Sequence, residues 1–433
     1  MNSREQLPTL GSPALRSQLS TLNYCTTLNS NLSTLNMTKF RLVPPAGAPL
    51  PIRAVLSSVY PASSSQSSLE ELLKARLRVP HVFPVSSGRA SLTVLLRALQ
   101  HLSHRREVVI PAYTCFSVPS AVVRAGLTIR LCDVDPKTLD LDQNALRRLD
   151  LDKALCIVSS GLYGMPAGLV RLEEIARDYG TFLVDDAAQC LGARVGERPC
   201  GTFGDAGFFS LGRGKNITTM GGGILITHRE NLAQLIQKQV NKFARPSYLQ
   251  FLAVTLNSLL YALMLPPSRY WILDRMPFLE LGASRFDPDF TVARLSSYQE
   301  RLATQLLPLV DSYNRIRRDN AAQLEAGIEC AEGIEIPRSV AGTDPVYLRY
   351  PILARDEAHR EQLVKCLRAA GIGASSSYPS AVSDIPGIRQ YLAHDQQSCP
   401  QAASIATRII TLPTHPYVTT RDIEKMVEIV RSE

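Results

Sequence analysis

Along most of the chain, short apolar runs alternate with stretches whose apolar residues recur at helical spacing. A strand is predicted over 82–86, leading into a helix that carries Leu92, Val94, Leu95 and Leu99. A strand over 107–110 and a helix over 118–125 follow, the helix stopped by Gly126, since glycine tolerates the left-handed turn that ends helices. Strands over 128–133 and 155–159, a helix over 169–179 ended by Gly180, and a strand over 181–184 continue the rhythm. Strands alternating with helices at this spacing predict an α/β fold, with a mostly parallel central sheet covered on both faces. In such sheets ligands bind beyond the carboxyl ends of the strands.

The alternation breaks after 204. A strand over 205–211, a glycine-studded loop and an antiparallel-type strand over 222–227 are predicted there. An uncharged stretch, 246–268, is closed by Pro266-Pro267. Helices over about 293–306 and 309–326 meet at Pro308, where proline interrupts the helical ladder. A strand over 346–353, a helix over 357–370 and a last helix from about Thr419 predict a smaller α+β domain. Residues 1–38 show neither period, and Thr-Leu-Asn recurs at 21, 27 and 34, so a disordered low-complexity tail is predicted. A Ser-rich targeting peptide, or Met37 as the true first residue, are the alternatives. The boundaries drawn are 1–38 for the tail, 39–290 for a large domain with an apolar insertion at about 242–288, and 291–433 for a small C-terminal domain.

Composition narrows the class. With 45% hydrophobic and 20% charged residues, the 433-residue chain is neither wholly disordered nor fibrous. Its net charge is +8, but residues 1–80 carry +5 of it, so the charge gives little support for a basic binding face on the main body and no nucleic-acid partner is expected. Nine cysteines are scattered without a CxxC pair, which gives no metal signature and fits a reducing compartment. No apolar segment precedes a small-residue cleavage site near the start, and the expected location is cytoplasmic.

Three segments could carry chemistry. Ser86-Ser87-Gly88-Arg89-Ala90 joins a strand to a helix, where close backbone approach and unpaired helical N–H groups suit a phosphate. Asp185-Asp186-Ala187-Ala188-Gln189 ends a buried strand, and adjacent strand residues point to opposite faces, so one of the two acids can face a site. Ser210-Leu211-Gly212-Arg213-Gly214-Lys215 places a lysine in a glycine loop, an amine able to bond a carbonyl. Taken singly, these read as a tight turn, a capping acid and a solvated lysine. Together, a phosphate cradle, an acid at a strand end and a lysine soon after form the layout of a pyridoxal 5'-phosphate site.

From about Phe40 onward the chain resembles the DegT/StrS family of pyridoxal phosphate enzymes, mostly nucleotide-sugar aminotransferases. The matching words are Ser-Ser-Gly-Arg-Ala-Ser (86–91), Val-Ile-Pro-Ala-Tyr-Thr (109–114), Asp-Val-Asp-Pro-Lys-Thr-Leu (133–139) and Leu-Tyr-Gly-Met-Pro-Ala (162–167). They continue with Asp-Asp-Ala-Ala-Gln (185–189), Gly-Asp-Ala-Gly-Phe-Phe-Ser (204–210), Gly-Lys-Asn (214–216), Gly-Gly-Gly (221–223), Ser-Tyr-Pro (377–379) and Leu-Pro-Thr-His-Pro (412–416). The resemblance implies a fold-type-I, aspartate aminotransferase-like enzyme. Lys215 matches the lysine that bonds the cofactor and shuttles the proton, and Asp186 the partner of the pyridine nitrogen. Gln189 matches a residue near the phenolic oxygen, and Ser210 one that helps hold the phosphate. Ser87 and the amides of Gly88, Arg89 and Ala90 match the phosphate cradle, with Tyr113 or Phe116 offered as the ring contact. The sequence departs from the family pattern at Cys115, the usual aromatic stacking position, at Gly161 and Ser377, each a histidine elsewhere, and in the segment usually supplied across the dimer.

The implied function is transfer of an amino group from glutamate to a nucleotide-linked keto sugar, for polysaccharide or amino-sugar biosynthesis, by a homodimer. Two alternatives stay open: a non-nucleotide keto substrate such as a cyclitol, and a non-catalytic, membrane-associated regulator of the same fold. The apolar stretch 246–268 is short for a span and is flanked by Lys242, Arg245 and Arg269. A helix buried within the protein or in a dimer interface is the preferred reading, and peripheral contact with a membrane surface is the alternative.

Overall fold

Seven strands form the central sheet: β1 (His81–Val85), β2 (Glu107–Pro111), β3 (Thr128–Cys132), β4 (Ala154–Val158), β5 (Phe182–Asp186), β6 (Ala206–Ser210) and β7 (Gly223–Thr227). They lie in the order β1-β7-β6-β5-β4-β2-β3 in this computed structural model, which describes residues 40–60, 67–244, 246–275 and 285–433. The tail predicted over 1–38 lies outside the described residues. Neighbouring strands from β3 to β6 pair in parallel, and β7 runs antiparallel to both β6 and β1, as the break in alternation after 204 requires.

Burial follows the strand period of two. Val108 of β2 packs into one core and Val109 into the other, and Phe208 and Phe209 of β6 divide in the same way. All five residues of β4 are buried, so a sheet with this centre needs cover on both faces. Helix α1 (Gly88–Leu99) supplies cover on one face, with Ala90, Leu92, Leu95 and Leu99 in the core beside Phe208. On the other face lie helices α2 (Leu169–Asp178) and α3 (Ser297–Leu306). The latter begins later than predicted because Ser296 caps it in a reciprocal box with Gln299.

The smaller lobe is built on the antiparallel strands β8 (Arg349–Ala354) and β9 (Ile409–Pro413), with Ile334–Glu335 at the edge. Helix α4 (Val310–Ile328) is shared between cores: Val310 packs with the sheet, whereas Leu324 and Ile328 pack with β8 and β9. Gly223, where β7 begins, sits so close to Ser87 that a Cβ there would meet its carbonyl oxygen at 2.3 Å. That close approach brings the start of α1 against the β6–β7 hairpin and gathers the site.

Candidate active site

A cavity of about 220 Å³ opens at the carboxyl ends of β4, β5 and β6. Ser87, Gly88 and Arg89 from the start of α1, Asp186 and Gln189 after β5, and Ser210 and Lys215 from the hairpin all line it. Three segments distant in sequence thus converge on one space.

The two acids separate as strand geometry demands. Asp185 points away from the cavity, where one oxygen accepts the N–H groups of Gly201 at 2.5 Å and Phe203 at 3.4 Å. Asp186 lines the cavity, with Oδ1 accepting the Ala188 N–H at 3.0 Å. Phe208 pairs in register with Asp186, and Ser210 stands two residues further along β6, so all three present side chains to the same face. Burial raises the Asp186 carboxyl to about 6, against the opposing pull of the Ala188 N–H and Lys215. Burial also lowers the Lys215 ammonium below its ordinary value, although Cys115 and Asp186 counteract this.

At α1, the first N–H groups have no acceptor within the helix. Ser87 Oγ accepts that of Ala90 at 3.1 Å, which leaves those of Gly88 and Arg89 for an anion. Ala90 does not line the cavity. The Arg89 guanidinium turns outward to Asp287, at 3.1 Å, and lies over the Phe290 ring, leaving its amide as the group it can offer. A Cβ on Gly88 would stand 3.0 Å from Ser210 Cβ, close enough to crowd this cradle.

Neither aromatic offered as the ring contact lines the cavity. Tyr113 is wholly buried, its hydroxyl 3.1 Å from that of Tyr163 and accepting the Tyr378 N–H at 2.5 Å. Phe116 is buried beside the Tyr378 ring. Cys115 forms the wall instead, with Leu92, Val118, Ala188 and Phe208. Gln189 is held from two sides, Oε1 accepting the Tyr163 N–H and Nε2 donating to the Tyr378 hydroxyl, each at 3.2 Å.

Ser117 and Ser160, not singled out in the sequence, also line the cavity, as does Gly161, noted there only as a departure from the family pattern. Ser160 and Gly161 lie just past β4, so the rule that ligands sit beyond strand ends could have found them. A Cβ on Gly161 would meet Cys190 Sγ at 2.3 Å, which explains why no larger side chain stands there.

The residues fit pyridoxal phosphate: an anion cradle that a single Cβ would crowd, a buried acid at the wall, and a lysine in the same space. Comparison with known proteins agrees. The profile of the DegT/DnrJ/EryC1/StrS aminotransferase family matches residues 52–249 and 291–431. A pleiotropic regulatory protein of Geobacillus stearothermophilus is 25% identical, over 75% of this chain and 78% of its own length. A UDP-N-acetyl-3-dehydro-alpha-D-glucosamine 3-aminotransferase of Acidithiobacillus ferrooxidans is also 25% identical, over 75% and 77%. Among solved structures, DesI in the presence of its TDP-sugar product shares the fold, with a TM-score of 0.71 at 20% identity over 90% of this chain and 92% of that one. Matched by the family profile on both sides of its apolar insertion, and folded as these enzymes are, the chain belongs to the DegT/DnrJ/EryC1/StrS aminotransferase family.

Proposed function

We propose that the protein is a pyridoxal phosphate-dependent aminotransferase that moves an amino group from an amino acid such as glutamate to the ketone carbon of a nucleotide-linked sugar. One observation carries the reading: Lys215, Asp186 and the start of α1 share a single cavity. The named activity of the Acidithiobacillus relative supports the substrate class. The scattered thiols and the family resemblance support a cytoplasmic homodimer.

Each residue then has a task. The Gly88 and Arg89 N–H groups, with Ser210 Oγ, hold the phosphate, aided by the positive end of the α1 dipole. Asp186 keeps a proton on the ring nitrogen. At about 4 Å and an effective dielectric of about 20, that attraction amounts to about 4 kcal/mol, or about three pK units. Pyridoxal phosphate, when bound, supplies the electrophilic carbon and the electron-withdrawing ring. Lys215, whose burial favours the neutral amine, would hold the cofactor through Nζ. Nζ would take a proton from the donor's α-carbon and return one to the former ketone carbon. Leu92, Val118 and Phe208 form an apolar wall that limits water around these transfers.

The test is a panel of nucleotide-linked keto sugars incubated with glutamate and the loaded enzyme. Formation of an amino sugar together with 2-oxoglutarate is expected. Turnover confined to a cyclitol ketone would move the substrate class, and no turnover with any ketone would overturn the reading.

A further inference from the structure

Among the described residues, every exposed large apolar side chain except Val170 and Ile316 lies on two adjoining stretches, 40–60 and 248–264. The second is helix α5 (Tyr248–Met264), about 25 Å long at 1.5 Å per residue. Within the single chain it is not buried throughout, which leaves the dimer-interface form of the preferred reading and the membrane-surface alternative. One side, with Phe251, Val254 and Leu259, packs on the sheet's core. The other presents Leu249, Leu252, Leu256 and Leu260, which are 76%, 44%, 66% and 50% exposed. Their spacing of three, four and four forms a continuous stripe.

The rim of this face is cationic. Lys242 precedes the helix and is exposed. Exposed Arg53 lies between Ile52 and Leu56 on the short helix that packs against α5. Arg269 donates to the Leu263 carbonyl at 2.7 Å, and Arg275 lies over the Trp271 ring, which meets Phe40 edge-on at 5.2 Å. No acid occurs in 40–60 or 246–273, and Asp274 is paired with Arg368 at 2.6 Å. Among the described residues no single helix is long and apolar enough to cross a bilayer, and α5 meets the next helix, Pro267–Asp274, at a bend of 117°. The family profile stops at 249 and resumes at 291, so most of this element lies outside the matched family pattern.

We propose that this face docks the enzyme on an anionic lipid surface, α5 lying in the plane of the interface with its leucine stripe among the acyl chains. Charge selects lipid over a second copy. A two-fold contact through this face would set it against its own copy, bringing two cationic rims together, and neither 40–60 nor 246–273 supplies an acid between them. An anionic bilayer instead attracts each basic residue, a gain of about fivefold in affinity apiece, and accepts the apolar stripe.

The test is co-sedimentation of the full-length holoenzyme with vesicles of phosphatidylcholine and phosphatidylglycerol, beside vesicles of phosphatidylcholine alone. The wild type is expected to bind the anionic vesicles at least tenfold more tightly than the neutral ones, and more weakly as salt rises. The double variant Leu249→Ser/Leu256→Ser should lose at least tenfold of that binding, with circular dichroism, molecular mass and specific activity in solution unchanged. A wild type that stays in the supernatant, or a double variant that binds as well as the wild type, overturns the proposal. A double variant that halves the solution mass also overturns it, because a second copy would then be the occupant.

Discussion

Replacing each of two adjacent acids with asparagine separates the site from its scaffold. Asp186→Asn keeps the size of the side chain, and its carbonyl can still accept the Ala188 N–H held at 3.0 Å by Oδ1. What it removes is the negative charge on the cavity wall. At about 4 Å and an effective dielectric near 20, losing that charge costs about 4 kcal/mol of preference for the protonated ring, about a thousandfold in rate if all of it is used at the transition state. Asp185→Asn changes a group turned away from the cavity toward the Gly201 and Phe203 N–H groups, which the asparagine oxygen can accept. Its rate should fall less than tenfold. The assay is the single-turnover half-reaction with glutamate, followed by the cofactor's absorbance, with thermal melting to confirm that both variants fold. Equal losses, or a larger loss at Asp185, would refute the reasoning and place the ring against the wrong acid.

Further outcomes follow from buried groups. Asp185 is raised to about 7 by burial, so its ionised form is disfavoured in the fold, and the stability it permits declines as pH rises from the unfolded value of about 4 to about 7. Asp185→Asn should therefore gain relative to wild type as pH rises from 5 to 8, by about 3 kcal/mol in urea unfolding; a gain that does not change with pH contradicts this. Gly88→Ala puts a methyl 3.0 Å from Ser210 Cβ and should lower cofactor retention on dialysis at least tenfold, with overpacking costing about 1–3 kcal/mol of stability. Unaltered retention would remove Gly88 from the cradle. His415, buried with Nε2 2.8 Å from the Pro44 carbonyl oxygen, is lowered to about 4 by burial, so the native state refuses a proton that the unfolded chain accepts below about 6.5. The stability advantage of wild type over His415→Gln should shrink by about 3 kcal/mol between pH 7 and pH 4, and an advantage independent of pH would show that His415 titrates normally.

Much of this architecture could be read from the sequence because it rests on local rules. Alternating apolar runs marked the strands of the parallel part of the sheet, and the glycine loop before Gly223 marked the reversal into β7. The Asp185-Asp186 pair could be narrowed to one inward side chain by strand period alone. Side-chain placement beyond that depends on tertiary packing that no spacing encodes. Tyr113 read as a ring contact from its motif, yet its hydroxyl is committed to Tyr163 and Tyr378, from segments 50 and 265 residues away. Ala90 read as part of the cradle, and here its N–H is taken by Ser87 Oγ. Helix α5 read as a buried or dimer-interface helix because so many leucines need cover, but burial is decided by what covers each face, and among the described residues its outer leucines are exposed.

The most direct test of the central claim concerns Lys215. The loaded protein is treated with borohydride, digested and mapped by mass spectrometry, with Lys215→Ala in parallel. The account predicts the reduced cofactor on the peptide containing Lys215, and no amino transfer by the variant. Cofactor fixed to any other lysine, or a Lys215→Ala protein that still turns over, would contradict it.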